Sequence, residues 1–332
     1  MLAIPGFVGS ALDPLVGVVG DTPRRRLLMV VGGLAFAASA ALTAAAGSFW
    51  LLLAALVIGN PATGAFVSLA QATLMDADPP QRTRNMARWT LAGSFGYVGG
   101  PLLLAAAVYV GFGWRGAIAA LAVSALPLTL AALRFPTPQR ETAPPLGRAL
   151  RDALAAVRRR DVLRLLLTLE AADLLLDVFH GFLALYLVDA AGLSPSTAAL
   201  GVAVWTGAGL IGDWLLLPAL RRTSGARIIR VTALLSLAAY PSFLLAQGLA
   251  PKLVLLAALG LLNSGWYAIP KASLYDALPE RSGTAVAVGG LGGIVGAAVP
   301  LLLGFLAGAA GIAATMWVLL LAPVALLALV RR

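Results

Sequence analysis

Residues 162–188 read VLRLLLTLEAADLLLDVFHGFLALYLV. The run is long and apolar enough to cross a bilayer, whose hydrocarbon core takes about 20 residues of helix. Yet it carries Glu170, Asp173, Asp177 and His180, the chain's one histidine. At 100° per residue these four side chains fall within an arc of about 80°. Leu174, Leu175, Leu176, Phe179 and Leu183 spread over the remainder. Counted from Arg164, Glu170 lies roughly 9 Å inside the span, Asp177 roughly 20 Å and His180 roughly 24 Å. Each charge turned to lipid would cost about 2.5–3.5 kcal/mol or more. Four on one face would defeat insertion, so the stripe faces a wet cavity or polar partners.

The rest of the chain has the same character. Its 332 residues are 60% hydrophobic and 11% charged, against about 25% charged in soluble domains. Apolar runs recur along the whole length, which makes this a polytopic membrane protein. In lipid every backbone polar group must be satisfied internally, so spans are helices or a closed barrel. The runs are about twice the length of a barrel strand, so they are helices. Spans are expected at 2–20, 27–46, 49–74, 90–110, 112–133, 162–188, 196–219, 228–247, 252–275, 284–307 and 312–330. The fold class is therefore an all-α membrane protein with eleven visible helices.

A net charge of +10 invites a nucleic-acid reading, but the positions of the charges argue against it. Of the 24 Lys and Arg residues, all but Arg115 and Lys252 fall at alternate inter-span positions or at the C-terminus. That is the positive-inside pattern. It puts Arg24–Arg26, the region Arg134–Arg164 and Arg331–Arg332 in the cytoplasm, where they meet anionic lipid headgroups. The expected location is the plasma (inner) membrane, with a cytoplasmic C-terminus. The chain has no cysteine, which excludes disulfides, thiol catalysis and thiolate metal sites. One histidine cannot build a multi-His site, and no GxxxxGK[ST] phosphate loop is present. No metal or cofactor is expected.

The one long connection, 134–161, is internal, basic and Pro-rich at RFPTPQRETAPPLG; ALRDALAAVRRR after it can form an amphipathic surface helix. It divides an N-terminal bundle, 1–133, from a C-terminal bundle, 162–332. The halves repeat. QATLMDADP at 71–79 aligns with KASLYDALP at 271–279, and Asp13 with Asp213, both at an offset of 200. Parallel repeats about an axis along the membrane normal are a transporter architecture. Subtracting the offset from 162–188 lands before Met1, so a first helix, lost through a misassigned start or a truncation, is expected to be missing; a genuine eleven-span protein is the alternative.

GVVGDTPRRR at 17–26 resembles the signature that follows the second helix of major facilitator superfamily transporters: Gly, three residues, Asp, Arg, any residue, Gly, Arg, Arg. Gly17, Asp21, Arg24, Arg25 and Arg26 match it in type and approximate spacing; Thr22 and Pro23 depart from it. GYVGGP at 96–101, with Gly96, Gly100 and Pro101, resembles the Gly-x-x-x-Gly-Pro motif that the family associates with antiporter-type exporters. The resemblance implies two six-helix bundles rocking about a central cavity. That cavity would be lined by the missing helix, 49–74, 162–188 and 252–275. It also implies that Asp21 faces the N-terminus of helix 284–307, where negative charge is favoured. Arg24–Arg26 would pair with Asp76 in an inner gate that also involves Asp276.

On this reading Asp173, Asp177, Glu170 and His180 take up and release protons as the cavity switches sides. Asn60, Thr63 and Gln71 on one facing helix, with Asn263 and Tyr267 on the other, are candidates to orient substrate; Trp266 lies one residue from that face. Asn263 and Tyr267 are i and i+4 and so share a face. Lys271 is expected to snorkel or to pair with Asp76 or Asp276. The twofold placement of Asp13 and Asp213 suggests a structural role between the halves. The expected function is proton-antiport export of small organic molecules by a monomer, with cationic substrates if the acidic lining pairs with them. A proton-coupled importer is the nearest alternative. A non-transporting scaffold or an enzyme is the alternative of a different class.

Overall fold

The computed structural model describes residues 3–134, 146–278, 281–296 and 298–330. The Pro-rich stretch 135–145, Pro279 of the repeat and the terminal arginines lie outside them. The fold is all helix, with no strand among the described residues, so backbone groups are satisfied within each segment as a bilayer demands. Among the described residues nine helices are long and apolar enough to span a membrane, and two shorter apolar helices, Ile4–Gly20 and Leu249–Leu262, stand where further spans were expected. Large side chains such as Phe95, Leu102, Val254 and Phe305 point outward, as on a lipid-facing surface.

Local chemistry sets the boundaries. Ser48, Ser194 and Ser224 cap helices by accepting from the backbone N–H three residues on, and Pro195 follows Ser194 at the first helical position. The helices that face each other in the sequence reading are not regular. Residues Gly64–Ser68, Leu174–Val178 and Tyr186–Ala190 form π-helical turns. The segment between Leu262 and Ala268 unwinds, with Gly265 at φ 84°, a left-handed backbone that favours glycine. Such bulges are frequent at functional sites because they shift carbonyls out of the regular ladder.

The chain forms two compact units. One comprises Met1–Arg82, Gly100–Leu163 and Leu274–Ala297. Here helix Ala3–Gly20 runs along Ser282–Gly296, and Arg25–Ala45 packs on Gly113–Ala132 and Phe49–Thr63. Small residues make these approaches possible. A Cβ on Gly17 would strike the backbone of Gly283 and Ala287, and one on Gly33 would strike Thr129.

The other unit comprises Thr83–Gly99, Arg164–Ser273 and Ala298–Arg332. Helix Pro195–Ala219 packs on Leu249–Leu262, with Gly260 against the Trp205 carbonyl. An aromatic cluster fills its core: the Phe179 ring lies 5.7 Å from Tyr240, 5.9 Å from Phe243 and 5.6 Å from Trp205. The buried Tyr240 hydroxyl donates to the Met316 carbonyl at 2.7 Å, satisfying a group that would otherwise be stranded in the apolar core.

Candidate functional site

The second unit encloses a cavity of about 400 Å³, within the range of roughly 300–1,000 Å³ typical of small-molecule sites. The stripe helix contributes Asp173, Asp177 and His180 to its wall. Helix Arg82–Tyr109 contributes Trp89, Ser94 and Tyr97; helix Pro195–Ala219 contributes Trp205 and Asp213. The unwound segment supplies Asn263, Ser264 and Tyr267. Among the described residues no lysine or arginine lines the cavity.

The irregular backbone positions these groups. Leu174–Val178 is a π turn, so Asp173 closes the regular helix and Asp177 sits within the bulge. Asn263 bridges two interruptions: its Nδ2 donates to the Leu175 carbonyl at 2.9 Å. Asp213 Oδ2 accepts from the Ser94 hydroxyl at 2.5 Å. Tyr97 reaches Asp177 Oδ1 at 3.5 Å, a long contact, and meets the edge of His180 with ring centres 6.0 Å apart. His180 in turn stacks on Trp205 at 5.4 Å and 25°. Two buried atoms on this wall, Asn263 Oδ1 and Trp205 Nε1, meet no hydrogen-bond partner among the described residues. The surface thus combines three carboxylates with aromatic faces. No group of three or more His, Cys, Asp or Glu arranged to hold a metal occurs among the described residues.

Of the residues singled out in the sequence, the cavity brings together Asp173, Asp177, His180, Asn263 and Tyr267. Glu170 is half-buried and is not part of the wall. Trp266 is fully buried, and its indole N–H donates to Thr232 Oγ1 at 2.8 Å, so it packs behind the site. Asn60, Thr63 and Gln71 belong to the other unit. There Thr63 donates to its own helix at the Gly59 carbonyl, and buried Gln71 accepts from the Tyr275 hydroxyl at 3.1 Å. Asn60 lies against Gly9. Asp213, Ser94, Trp89, Trp205 and Tyr97 were missed as wall residues. Only Asp213 left a signal, as an acid within a span. Its repeat partner Asp13 fits between helices in the first unit, where Gly64 and Gly290 leave room for its side chain.

The first unit holds a dense ion-pair network. Arg25 is 1% exposed. Its Nη1 donates to Asp76 Oδ2 at 2.7 Å, its Nη2 to Ser282 Oγ at 2.7 Å and its Nε to the Gly20 carbonyl. Asp21 accepts from the backbone N–H groups of Gly283 and Thr284 at 2.7 and 2.8 Å, and from the Thr284 hydroxyl. A carboxylate there meets the unpaired N–H groups and positive dipole end of helix Ser282–Gly296. Arg82 pairs with Asp276 at 3.2 Å and approaches Asp76 at 4.0 Å, so it stands on the repeat-related aspartates where Lys271 was expected. Of the three consecutive arginines only Arg25 turns inward; Arg24 and Arg26 are exposed. At Gly96 and Gly100, an added Cβ would meet nothing within 4 Å among the described residues. Pro101 sits inside helix Arg82–Tyr109.

Comparison with known proteins accords with this architecture. The family profile described as Major Facilitator Superfamily matches residues 1–298. The fold is similar to that of the human organic anion transporter MFSD10 (TETRAN), with a TM-score of 0.81 at 20% identity, covering 99% of this chain and 82% of that one. It is likewise similar to an outward-conformation structure of the transporter FucP, with a TM-score of 0.80 at 16% identity, covering 99% and 88%. A second FucP structure, described as the E. coli fucose:proton symporter, gives a TM-score of 0.78 at 17% identity, covering 99% and 89%. A search of curated protein sequences finds no match. Likenesses at these identities speak for the fold, while the family match spans nearly the whole chain. The chain belongs to the Major Facilitator Superfamily, as a multi-pass membrane transporter and not an enzyme.

Proposed function

We propose that this transporter exports small organic molecules in exchange for protons, with Asp173 and Asp177 as the proton-carrying groups. The observation that carries the proposal is a cavity holding both carboxylates, with no lysine or arginine among the described residues of its wall. An acid in a span is retained at a cost of several kcal/mol and marks ion or proton pathways. A carboxylate that holds either a proton or a substrate cation, but not both, couples the two by competition. A proton entering from one side releases the substrate there. The emptied site returns and loses its proton to the other side, where substrate takes its place. His180, braced by Tyr97 and Trp205, stands beside this exchange, and Asn263 and Tyr267 orient the substrate. Glu170, off the wall, acts as a secondary proton site.

The network around Arg25 serves as the inner gate. It ties the segments at 20–25 and 76–82 to the start of helix Ser282–Gly296, and breaks when the transporter opens toward the cytoplasm. The antiporter-like Gly96–Pro101 stretch supports export. The anion and the fucose named for the structural neighbours do not carry over, since an acidic wall repels the first and the likeness to the second is one of fold. Its proposed location is the plasma membrane, where it works as a monomer.

Proteoliposomes under an imposed pH gradient test the proposal. Exchange requires that an acidic lumen drive uptake of labelled substrate. Uptake driven by an acidic bath would instead indicate symport, and flux indifferent to the gradient would remove proton coupling altogether.

A further inference from the structure

We infer that the cavity holds a sodium ion at a site separate from Asp173 and Asp177. Its ligands are the Asp213 carboxylate, the hydroxyls of Ser94 and Ser264, and the carbonyls of Gly209 and Gly260. The inference goes beyond the proton-exchange reading and does not depend on it.

All five residues border the cavity. Asp213 is buried and belongs to no ion pair among the described residues. Buried charges are paired or coordinate metals, and this carboxylate is met by hydroxyls. Ser94 Oγ lies 2.5 Å from its Oδ2, and the Ser264 hydroxyl lies beside the same carboxylate. The site needs no cluster of acids: one carboxylate offsets one positive charge, so a monovalent ion suits a site within a span, where excess charge is costly.

The break after Leu262 supplies the remaining oxygens. In a regular helix the Gly260 carbonyl would accept from the Ser264 N–H. Here that N–H turns to the Leu261 carbonyl at 3.4 Å, which releases Gly260 O from the ladder. Carbonyls freed where a membrane helix unwinds serve as alkali-ion ligands. Ser264 Oγ stands 3.5 Å from Gly260 O and 3.4 Å from Gly209 O, long for hydroxyl hydrogen bonds. Oxygens sharing an octahedral edge stand about 3.4 Å apart around an ion with bonds of about 2.4 Å, the range of Ca2+ and of the similarly sized Na+. Ser94 also reaches the Thr90 carbonyl at 3.1 Å, so its hydrogen turns there and leaves the oxygen to the ion. Gly212 lets its helix close on the site, since a Cβ there would strike Ser264 Oγ. The ion thus joins helices Arg82–Tyr109 and Pro195–Ala219 to the unwound segment.

The test is equilibrium binding of radiolabelled Na+ to the purified protein in sodium-free buffer, with K+ as competitor. Wild type should bind Na+ saturably and prefer it to K+ by about tenfold, because the larger ion overfills the site. Asp213→Asn should abolish binding, and Ser264→Ala, which removes one neutral ligand, should weaken it about tenfold. Asp173→Asn should bind Na+ as the parent does. No saturable binding by wild type, equal displacement by K+, or full binding by a folded Asp213→Asn protein would overturn the inference. So would loss of binding in a folded Asp173→Asn protein, which would move the ion to the acidic stripe. The wild-type comparison of Na+ with K+ stands even where a variant does not fold. Proton-driven flux is measured in sodium-free vesicles, so a missing sodium site leaves the exchange reading intact, and a failure of that flux leaves saturable Na+ binding in place.

Discussion

Ser94 gives its hydroxyl hydrogen to Asp213 Oδ2 at 2.5 Å, joining helix Arg82–Tyr109 to helix Pro195–Ala219 at the cavity wall. The acid is 7% exposed, and a hydrogen bond to a buried charge is worth about 1.5–3 kcal/mol. Ser94→Ala should destabilise the protein by that amount, measured by denaturant unfolding in detergent. In an Asp213→Asn background the same change should cost about 1 kcal/mol or less, since a neutral acceptor binds the hydroxyl more weakly. Strict additivity of the two substitutions would show that the pair does not interact.

Arg25 meets Gly20, Asp21, Asp76 and Ser282 at one point, and its removal leaves all four without it. Breaking a buried pair from one side costs about 3–5 kcal/mol. In the closed arrangement Leu278 is 6% exposed. Because the chain contains no cysteine, a single Leu278→Cys, two residues beyond Asp276, reports on opening at this ion-pair network without background. A membrane-impermeant maleimide should label it slowly in the parent protein and much faster with Arg25→Met. Equal rates in the two would mean that Arg25 does not hold the gate.

Two glycines of similar appearance in the sequence should respond in opposite ways. At Gly17 an added methyl collides with the backbone of Gly283 and Ala287, which cannot rotate away. Gly17→Ala should therefore lower stability by about 1–3 kcal/mol, as overpacking does. At Gly96 nothing lies within 4 Å, and Gly96→Ala should stay within about 0.5 kcal/mol of the parent. Thermal unfolding of the two variants side by side checks the contrast.

Lys252 is a buried cation with no acidic partner among the described ion pairs. Its Nζ donates to the Phe243 carbonyl at 3.0 Å, near the end of helix Gly225–Leu245, and lies 5.2 and 5.0 Å from the Tyr186 and Phe243 ring centres. Positive charge at a helix C-terminus and over aromatic faces is favourable. Lys252→Met keeps the aliphatic bulk and loses the donor, so it should lower stability by about 1–3 kcal/mol. The pH profile of transport should be unchanged; a displaced profile would assign Lys252 to the proton path.

The spans were legible because hydropathy alone decides what a bilayer accepts. The stripe of Asp173, Asp177 and His180 was legible because intramembrane charge must find a polar environment. Arg25, Asp21 and Asp76 were legible through the acidic–basic signature and the repeat. Asp213 was not placed on the cavity wall, because the face an acid presents depends on how its helix crosses its neighbours. Nor does helical periodicity at 100° per residue anticipate the π turn at Leu174–Val178 or the unwinding at 263–267. The unwinding leaves Trp266 behind the wall and Asn263 with an unpartnered oxygen. Arg82 escaped notice because it lies in a loop-proximal basic stretch like several others, and only the fold reveals that both repeat-related aspartates converge on it.

The central claim is that Asp173 and Asp177 couple substrate movement to protons. Its most direct test compares two fluxes in the same proteoliposomes: substrate–substrate exchange at uniform pH, and net uptake driven by an acidic lumen. The account expects Asp173→Asn and Asp177→Asn to retain exchange while losing gradient-driven uptake. Gradient-driven uptake at the parent rate in both variants would contradict it.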